Sequence, residues 1–400
     1  MSRSIPSRAE IPVESTWDLN AIFPTLADWE NAFANVDAEF GRLAGFTGQV
    51  ASGEAPTIAS VLADVEAVRV RVSQVAVHAR LAWAVDTSDS ANAERSDRAS
   101  GLIARFAAAT AWLEPELLAL GAERLSACAS SPELSAFAHP LERLARRAPH
   151  VLSPDVEQVM ARASEAFGAV KIHSALTDTD LKFDPAVASD GTEREIGQGT
   201  IGKLLTDPDR AVRQSAWENY ADRHLALRSG LAATLATGVR QNVFVARTRG
   251  YASPLHASLE SNFIPVDVFE RLIDAFQRHL PVWHRYWELR RRRLGLEKLA
   301  PWDAKAPLGH TAGPEIPYAQ AVEWIADGMA PLGGEYVDAL RKGCLEQRWI
   351  DIYPNRGKRM GAFSSGTYGT HPYILMSYND DIFSLSTLAH ELGHSLHSWY

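Results

Sequence analysis

The sequence predicts a mainly α-helical protein with a small β element just before its last helix. Three observations support this fold class. Long alanine-rich stretches carry apolar residues at the spacing of amphipathic helices. Two serine-proline pairs indicate further helix starts, because serine is a common N-cap and proline is tolerated in the first helical turn. Only residues 177–200 and 348–381 combine glycine and other turn residues with the alternation typical of strands.

The first half of the chain gives the clearest helix signals. Residues 25–43 offer Thr25 or Asp28 as an N-cap. One face of that segment carries Trp29, Phe33, Val36, Phe40 and Leu43. Residues 56–85 and 93–120 continue the pattern, and segments of about 30 residues predict long antiparallel helices. Ser131 and Ser153 are the candidate caps of the two Ser-Pro helices.

The character of the sequence changes twice along the chain. Alternation in residues 181–183, followed by turn residues, predicts a strand or hairpin within 177–200, and we place a boundary near residue 195. This boundary separates an N-terminal helical region, 1–195, from a second region, 196–400. Helices are predicted again over 207–227, 266–294 and, as two short ones, 317–346, with a proline-marked loop at 300–309. Phe363 and residues 373–378 predict strands around a glycine-containing turn, and a last helix follows.

The composition is ordinary for a soluble globular protein of more than one folded unit, with 46% hydrophobic and 22% charged residues in 400. The net charge of −9 argues against nucleic acid or an anionic membrane as the main partner. The N-terminus lacks an apolar signal segment and no run approaches 18 apolar residues, so we expect a cytoplasmic protein. Cys128 and Cys344 belong to no C-x-x-C pair and are expected to be reduced, structural thiols.

The most specific feature is the run His390-Glu391-Leu392-Gly393-His394, the H-E-x-x-H pattern of zinc hydrolases. A helix advances about 100° per residue, which places the two histidines about 40° apart on one face. The opposite face is apolar and carries Leu385, Leu388, Leu392 and Leu396. Candidate caps at the start of this helix are Asp380, Asp381 and Ser384.

The spacing of this motif suits metal chemistry. Imidazoles one helical turn apart can hold one Zn²⁺ at about 2.0–2.1 Å, and Glu391 can accept a proton from a water whose pKa zinc lowers to about 7. Two imidazoles favour zinc over manganese or cobalt without excluding them. The alternative is an ordinary helix whose histidines face solvent or form hydrogen bonds.

Residues 351–400, which contain this motif, resemble the active-site region of the M3 family of zinc metallopeptidases, in particular the oligoendopeptidase F group. Segments 15–33, 199–220 and 292–309 resemble other parts of the group more weakly, so the resemblance covers most of the chain. It implies an elongated helical zincin-type metallopeptidase whose deep channel admits short unfolded peptides. Residues 196–400 would be its catalytic domain, with Zn²⁺ as cofactor.

Carried over to this sequence, the resemblance makes His390 and His394 zinc ligands and Glu391 the general base. It also implies that the glycine-rich strand region borders the channel, because a strand edge can pair with the backbone of an extended peptide. The candidate substrate contacts there are Gly361, Phe363, Ser364, Tyr368, His371 and Tyr373. Alternatively, Phe363 and Tyr373 are core aromatics, and His371 is a hydrogen-bonded residue of the turn before the edge strand.

The resemblance leaves the third zinc ligand unassigned. Family members carry it as a glutamate on a following helix, with further tyrosine and histidine residues beyond it, whereas this sequence ends at Tyr400. We therefore expect an N-terminal portion of a longer protein, incomplete as a catalytic domain, with apolar surface left uncovered around Leu388 and Leu392. His397 is the alternative third ligand, but it lies about 10 Å along the helix axis from His390.

Three other features carry weaker functional signals. The four arginines at 290–293 follow an amphipathic helix in an acidic protein, which favours a solvated face over an RNA-binding patch. The segment "NRGKRMG" at 355–361 lacks the upstream glycine and the Ser/Thr of a phosphate-binding loop. Asp303 and Lys305 are expected to cap and pair locally rather than catalyse.

Taken together, the sequence favours a zinc-dependent endopeptidase of short unfolded peptides, with the full-length parent, rather than these 400 residues alone, as the expected active species. A catalytically inactive peptide-binding or scaffold protein is the alternative from another class, and a metal-dependent amidohydrolase is a more distant one. The cleavage preference and the oligomeric state are not predicted by any pattern in the sequence.

Overall fold

The fold is mainly α, as predicted: helix makes up 67% of the computed structural model and strand 3%. The structure describes residues 5–165, 167–309 and 314–400. The α-helices of these ranges are α1 (Leu26–Ala38), α2 (Phe40–Ala44), α3 (Ala55–Ala84), α4 (Ser90–Ala109), α5 (Leu113–Ala119), α6 (Ala122–Ala129), α7 (Ala138–Arg147), α8 (Pro154–Glu165), α9 (Ala169–Ser174), α10 (Ile201–Leu204), α11 (Arg210–Ala226), α12 (Arg228–Thr248), α13 (Pro254–Glu260), α14 (Val266–Arg293), α15 (Tyr318–Gly328), α16 (Gly334–Leu345) and α17 (Ile382–Trp399). The strands are β1 (Ala186–Val187), β2 (Glu193–Arg194), β3 (Ile350–Asp351), β4 (Phe363–Ser365) and β5 (Tyr373–Leu375). Among the described residues, no helix is both long enough and apolar enough to cross a membrane.

The first predicted helix begins at its predicted cap. Thr25 Oγ1 accepts a hydrogen bond from Asp28 N, and Asp28 Oδ2 accepts one from Thr25 N, which forms a capping box. The predicted apolar face is buried except at Phe33, which is partly buried. The helix is interrupted at Glu39 and continues as α2.

The single helix predicted over 93–120 is wrong in one respect, because α4 ends at Ala109 and α5 begins at Leu113. Pro115 explains the break, since proline has no backbone N–H and its ring clashes with the carbonyl four residues earlier. Thr110 Oγ1 donates to Phe106 O, and Trp112 Nε1 donates to Ala109 O, so side chains satisfy carbonyls where α4 ends.

The predicted Ser-Pro helix starts differ from each other in the structure. Ser131 precedes a 3₁₀ helix, Pro132–Phe137, that leads into α7, and its side chain makes no capping hydrogen bond to the backbone. Its hydroxyl instead donates to the Glu133 carboxylate. The second helix, α8, begins at Pro154, as predicted.

A hairpin lies within 177–200, as predicted, but not at the alternating residues. β1 and β2 pair antiparallel, with Ala186 opposite Arg194. Residues 181–183 lie outside both strands because other contacts take them: Leu181 N donates to Leu176 O after a π-helical turn, and the Phe183 ring stacks on Tyr220 at 4.9 Å.

The three-stranded sheet that precedes α17 has the order β3-β5-β4. β3 runs parallel to β5, and β4 runs antiparallel to it, with Ser364 opposite Ile374. The strand predicted at 373–378 was expected at the sheet edge; this was wrong, since β5 is the central strand and β4 is an edge. β3 was not predicted, because a two-residue strand has no alternation to detect.

Buried side chains form separate clusters in the two halves of the chain, and a further cluster joins them. Helices α1 to α7 surround a core that includes Trp29 and Leu102. Helices α15 to α17 pack on the sheet, and Leu388 and Leu392 are buried there, so the expected exposure around them was wrong. The joining cluster brings Leu81 of α3 against Tyr373 of β5. The boundary near residue 195 stays a prediction.

Candidate active site

The helix that carries the H-E-x-x-H motif, α17, has a well-formed start. Asp381 is the N-cap, and its Oδ1 accepts a hydrogen bond from Ser384 N at 2.7 Å. Ser384 Oγ in turn accepts one from Asn379 N at 3.0 Å. The predicted apolar face is confirmed: Leu388, Leu392 and Leu396 are buried and Leu385 is partly buried. The motif therefore lies on a helix anchored at its start and along its back.

His390 and His394 lie on the solvent-exposed face of α17. Their Nε2 atoms are 3.2 Å apart, and the rings are nearly perpendicular. This spacing suits a hydrogen bond between one protonated and one unprotonated nitrogen. It also suits a metal, because nitrogens at about 2.0–2.1 Å from a tetrahedral zinc are about 3.3–3.4 Å apart. His397 is exposed on the same helix, but in the described part of the chain no three His, Cys, Asp or Glu side chains form a metal-binding group.

Glu391 differs from the histidines in its burial, with a relative exposure of 7%. It lies between the apolar back of the helix and the open histidine face. No described side chain forms an ion pair or hydrogen bond with its carboxylate. A carboxylate in such a place is available to a water or substrate atom at the histidine face.

The edge strand β4 lies directly against the motif helix. Ser364 Oγ and Ser395 Oγ are 2.8 Å apart, and Ser395, the residue after His394, is fully buried. Ser395 was not among the predicted site residues; a helical wheel places it between the histidine face and the apolar face. This contact fixes the position of β4 relative to the two histidines.

Two candidate substrate contacts are open to solvent. Gly361 is exposed and has φ +91°, a left-handed conformation that favours glycine. Tyr368 is 81% exposed in the turn between β4 and β5. The backbone of that turn is held by α3, since Gln74 Nε2 donates to Tyr368 O at 3.1 Å.

Two candidate aromatics fit the core alternative instead. Tyr373 has no exposed surface, and its hydroxyl donates to Asp18 O at 3.1 Å. Phe363 is partly buried and tilted against the Trp17 ring, with centroids 6.5 Å apart. Tyr373 belongs to the central strand, and the N-terminal segment covers its side chain. The expectation that it contacts substrate does not fit this position.

His371 occupies the position of a hydrogen-bonded turn residue. Its Nδ1 is 2.9 Å from Pro372 O, and its ring lies 4.3 Å from Tyr373 and stacks on Trp349 at 5.8 Å. Burial lowers the pKa of His371, only partly offset by the hydrogen bond to Pro372. The partly buried ring supports the turn before β5.

A buried ion network supports the sheet from the side of β3. Asp351 is fully buried, and its two carboxylate oxygens accept hydrogen bonds from Nη1 and Nη2 of Arg8. Asp351 Oδ1 also lies 2.8 Å from Lys358 Nζ. Burial alone would raise the pKa of Asp351, but Lys358 and Arg8 outweigh it and hold that pKa below its usual range. Burial lowers the pKa of Lys358 to about 8. Lys358 thus serves this network, in agreement with the expectation that its glycine-lysine segment is not a phosphate loop.

One expectation about charged residues needs correction, and another is confirmed with an addition. Arg290 is buried and donates to Ala306 O, so the run 290–293 is not wholly a solvated face. Asp303 caps locally, as expected, because its Oδ2 accepts a hydrogen bond from Ala300 N at 3.1 Å; it is also fully buried and pairs with Arg210 and Arg213 of α11. A buried charge needs a partner of opposite charge. The sequence does not predict this pairing, because Asp303 and its arginine partners are about 90 positions apart. Cys128 and Cys344 are both buried and free, as expected.

Comparisons with known proteins show which proteins this chain resembles. The family model for peptidase family M3 matches residues 203–400, and the model for oligopeptidase F matches residues 116–183. The chain is 35% identical to oligopeptidase PepF of Bacillus subtilis, over all of this chain and 60% of that protein. It is 32% identical to group B oligopeptidase PepB of Streptococcus agalactiae, over 98% of this chain and 65% of that protein.

Solved structures give the same result for the fold. Oligoendopeptidase-F from Enterococcus faecium superposes with a TM-score of 0.69 at 28% identity, over 80% of this chain and 60% of that one. The chain thus spans about 60–65% of the length of these relatives.

Proposed function

Because the chain belongs to peptidase family M3, we propose that it acts as a zinc-dependent endopeptidase that hydrolyses short, unfolded peptides. The observation that carries the proposal is the arrangement at α17. The two Nε2 atoms of His390 and His394 lie 3.2 Å apart on an open face of α17, beside the largely buried residue Glu391. This arrangement suits two metal ligands with a proton acceptor next to them.

In this proposal, His390 and His394 supply two imidazole ligands through Nε2. Zinc held there would polarise the peptide carbonyl and lower the pKa of an attacking water to about 7. Glu391 takes the proton of that water on a carboxylate oxygen and passes it to the nitrogen of the departing amine. The expected glutamate of a following helix remains the proposed third ligand.

The edge of β4 is the proposed place for the substrate backbone. One edge of β4 pairs with β5, and its other edge has no strand beside it among the described residues. An extended peptide can pair with that edge through its main chain, which suits an enzyme that accepts many sequences. Ser364, Tyr368 and Gly361 remain the candidate contacts; Phe363, His371 and Tyr373 act behind them as supports.

A cytoplasmic location is also proposed. It rests on the two cysteines, which are buried, free thiols in this structure. Peptides are the proposed partners, and a net charge of −9 speaks against nucleic acid.

The proposal is tested with internally quenched fluorescent peptides and the purified full-length protein, the parent of the variants below, in zinc-containing buffer. Cleavage should stop in a chelator, return with added zinc, and be absent in His394→Ala. Unfolded peptides should be cut and a folded globular protein left intact. Peptide binding by the parent without any zinc-dependent cleavage would instead favour the non-catalytic alternative.

A further inference from the structure

Two arginines, Arg80 of α3 and Arg359, lie on the side of β4 that faces away from the motif helix. Ser364 points toward α17, whereas Phe363 packs in the cluster that includes Leu81 of α3. Side chains alternate along a strand, so Ser365 also faces α3. There, Arg80 Nη2 donates to Ser365 Oγ at 2.7 Å. Arg80 thus stands beside the proposed substrate edge, on the α3 side.

Arg359 lies next to Arg80. Its backbone N–H donates to Ala84 O at 2.9 Å, which fixes it one helical turn beyond Arg80 on α3. Desolvation and then the charge of Arg359 lower the pKa of Arg80. Like charges in one region repel each other, so this pair does not stabilise the fold.

Neither arginine has an acidic partner. In the described ranges, neither side chain forms an ion pair with any carboxylate, and the hydroxyl of Ser365 is the polar group that Arg80 contacts. Two other arginines of α3 do have partners: Arg69 pairs with Glu66, and Arg71 pairs with Glu39. In a chain with a net charge of −9, two adjacent arginines left unpaired beside an open strand edge indicate an anionic ligand.

We infer that Arg80 and Arg359 bind a carboxylate of the peptide substrate. A peptide paired with the free edge of β4 would direct every second side chain toward α3, where the guanidinium group of Arg80 and the backbone of Arg359 lie. The carboxylate is either an acidic side chain at one position or the free C-terminus of a short peptide. This inference rests on the proposed function, since it needs a peptide at that edge.

The test uses pairs of peptides that differ only by Glu or Gln at one position, and successive pairs carry this difference at successive positions. The same peptides are also compared with free and with amidated C-termini. kcat/KM is measured for the parent, Arg80→Gln, Arg80→Lys and Arg359→Gln. Arg69→Gln, on the same helix, is the matched control. Binding of the same peptides to Glu391→Gln and to Glu391→Gln/Arg80→Gln, followed by fluorescence anisotropy, reports the preference without cleavage.

We expect the kcat/KM of the parent to be about tenfold higher for one carboxylate-bearing peptide than for its uncharged counterpart, mainly through a lower KM. A hydrogen bond to a charged group gives an effect of this size. Arg80→Gln should abolish the preference, Arg359→Gln should reduce it, and Arg80→Lys and Arg69→Gln should keep most of it. A preference at one Glu position identifies the side chain; a loss on amidation identifies the C-terminus.

Two results would overturn the inference: no preference for any carboxylate in the parent, or an unchanged preference in Arg80→Gln. The proposed function fails separately. If no peptide is cut, anisotropy still decides whether Arg80 selects a carboxylate, and equal binding of all peptide forms overturns the inference there as well.

Discussion

Glu391 and its two neighbouring histidines have opposite environments on a single helical turn. The histidines are exposed, whereas the glutamate is 7% exposed. The sequence could predict this, because a period of about 3.6 residues separates a histidine face from an apolar face and leaves the glutamate between them. It could not predict that Tyr373 is enclosed, because residues that cover it, such as Trp17 and Leu81, are more than 280 positions away in the sequence.

Glu391→Gln should abolish turnover while zinc remains bound. The amide cannot accept a proton, and a general base contributes roughly 10²- to 10⁴-fold to the rate. The measurements are kcat/KM on a quenched peptide and metal content by mass spectrometry. Glu335→Gln, an exposed glutamate on α16, is the control and should be unaffected. A variant within tenfold of the parent would remove Glu391 as the base.

At the scale of elements, the long helices could be predicted from periodicity and caps, and the failures have local causes. The break between α4 and α5 follows from Pro115. The apolar pattern on both sides of Pro115 continues without interruption, and the prediction of one helix followed that pattern. The central position of β5 depends on pairing with β3, which is two residues long. The order of strands in a sheet depends on which strands pair with each other, so the residues of one strand alone do not predict it.

The cap of α17 gives a prediction for helix stability. Asp381→Ala should lower the free energy of unfolding by about 1 kcal/mol, because Ser384 N loses its acceptor. Asp381→Asn keeps an oxygen in place and should lose much less. Urea unfolding of the three proteins measures both effects. Equal loss in the two variants would show that the charge of Asp381, not its capping oxygen, stabilises the helix.

The buried Asp351 gives a prediction for the sheet. Asp351→Asn should destabilise the protein by about 3–5 kcal/mol at pH 7, because Lys358 is left buried without a counter-charge. The pKa of Asp351 is lowered in the fold, so its contribution is present above the unfolded value of about 3.9 and is lost as the pH falls through the folded value.

Urea unfolding from pH 7 to pH 3 measures this difference, which should shrink at the acidic end. Asp338→Asn, at an exposed position of α16, is the control and should change stability by less than about 0.5 kcal/mol. A difference that stays constant down to pH 3 would contradict a titrating Asp351.

At the scale of the whole molecule, the N-terminal segment covers one side of the three-stranded sheet. Arg8 reaches Asp351 across 343 positions, and Trp17 packs on Tyr373. The family resemblance indicated an overall helical fold, but it gave no such contact, because long-range pairs leave no periodic trace in one sequence. The predicted boundary near residue 195 therefore separates regions that share buried side chains.

Residues 196–400 expressed alone should not fold cooperatively, because Tyr373 and Leu375 would lose Trp17 and Leu81. Thermal melts followed by circular dichroism compare this fragment with residues 1–400. Leu81→Ala in the full chain, which opens the same cluster, should cost about 2–5 kcal/mol. A cooperative melt of the fragment near the temperature of the full chain would show that the joining cluster is dispensable.

Whether His390 and His394 hold the catalytic metal beside Glu391 is tested most directly by a competitive zinc titration. The parent, His390→Ala, His394→Ala and Glu391→Gln are titrated against a chromophoric chelator. The proposed site predicts one zinc per chain in the parent and in Glu391→Gln, and affinity weakened by at least about tenfold in each histidine variant. Equal zinc affinity in the parent and both histidine variants would contradict it.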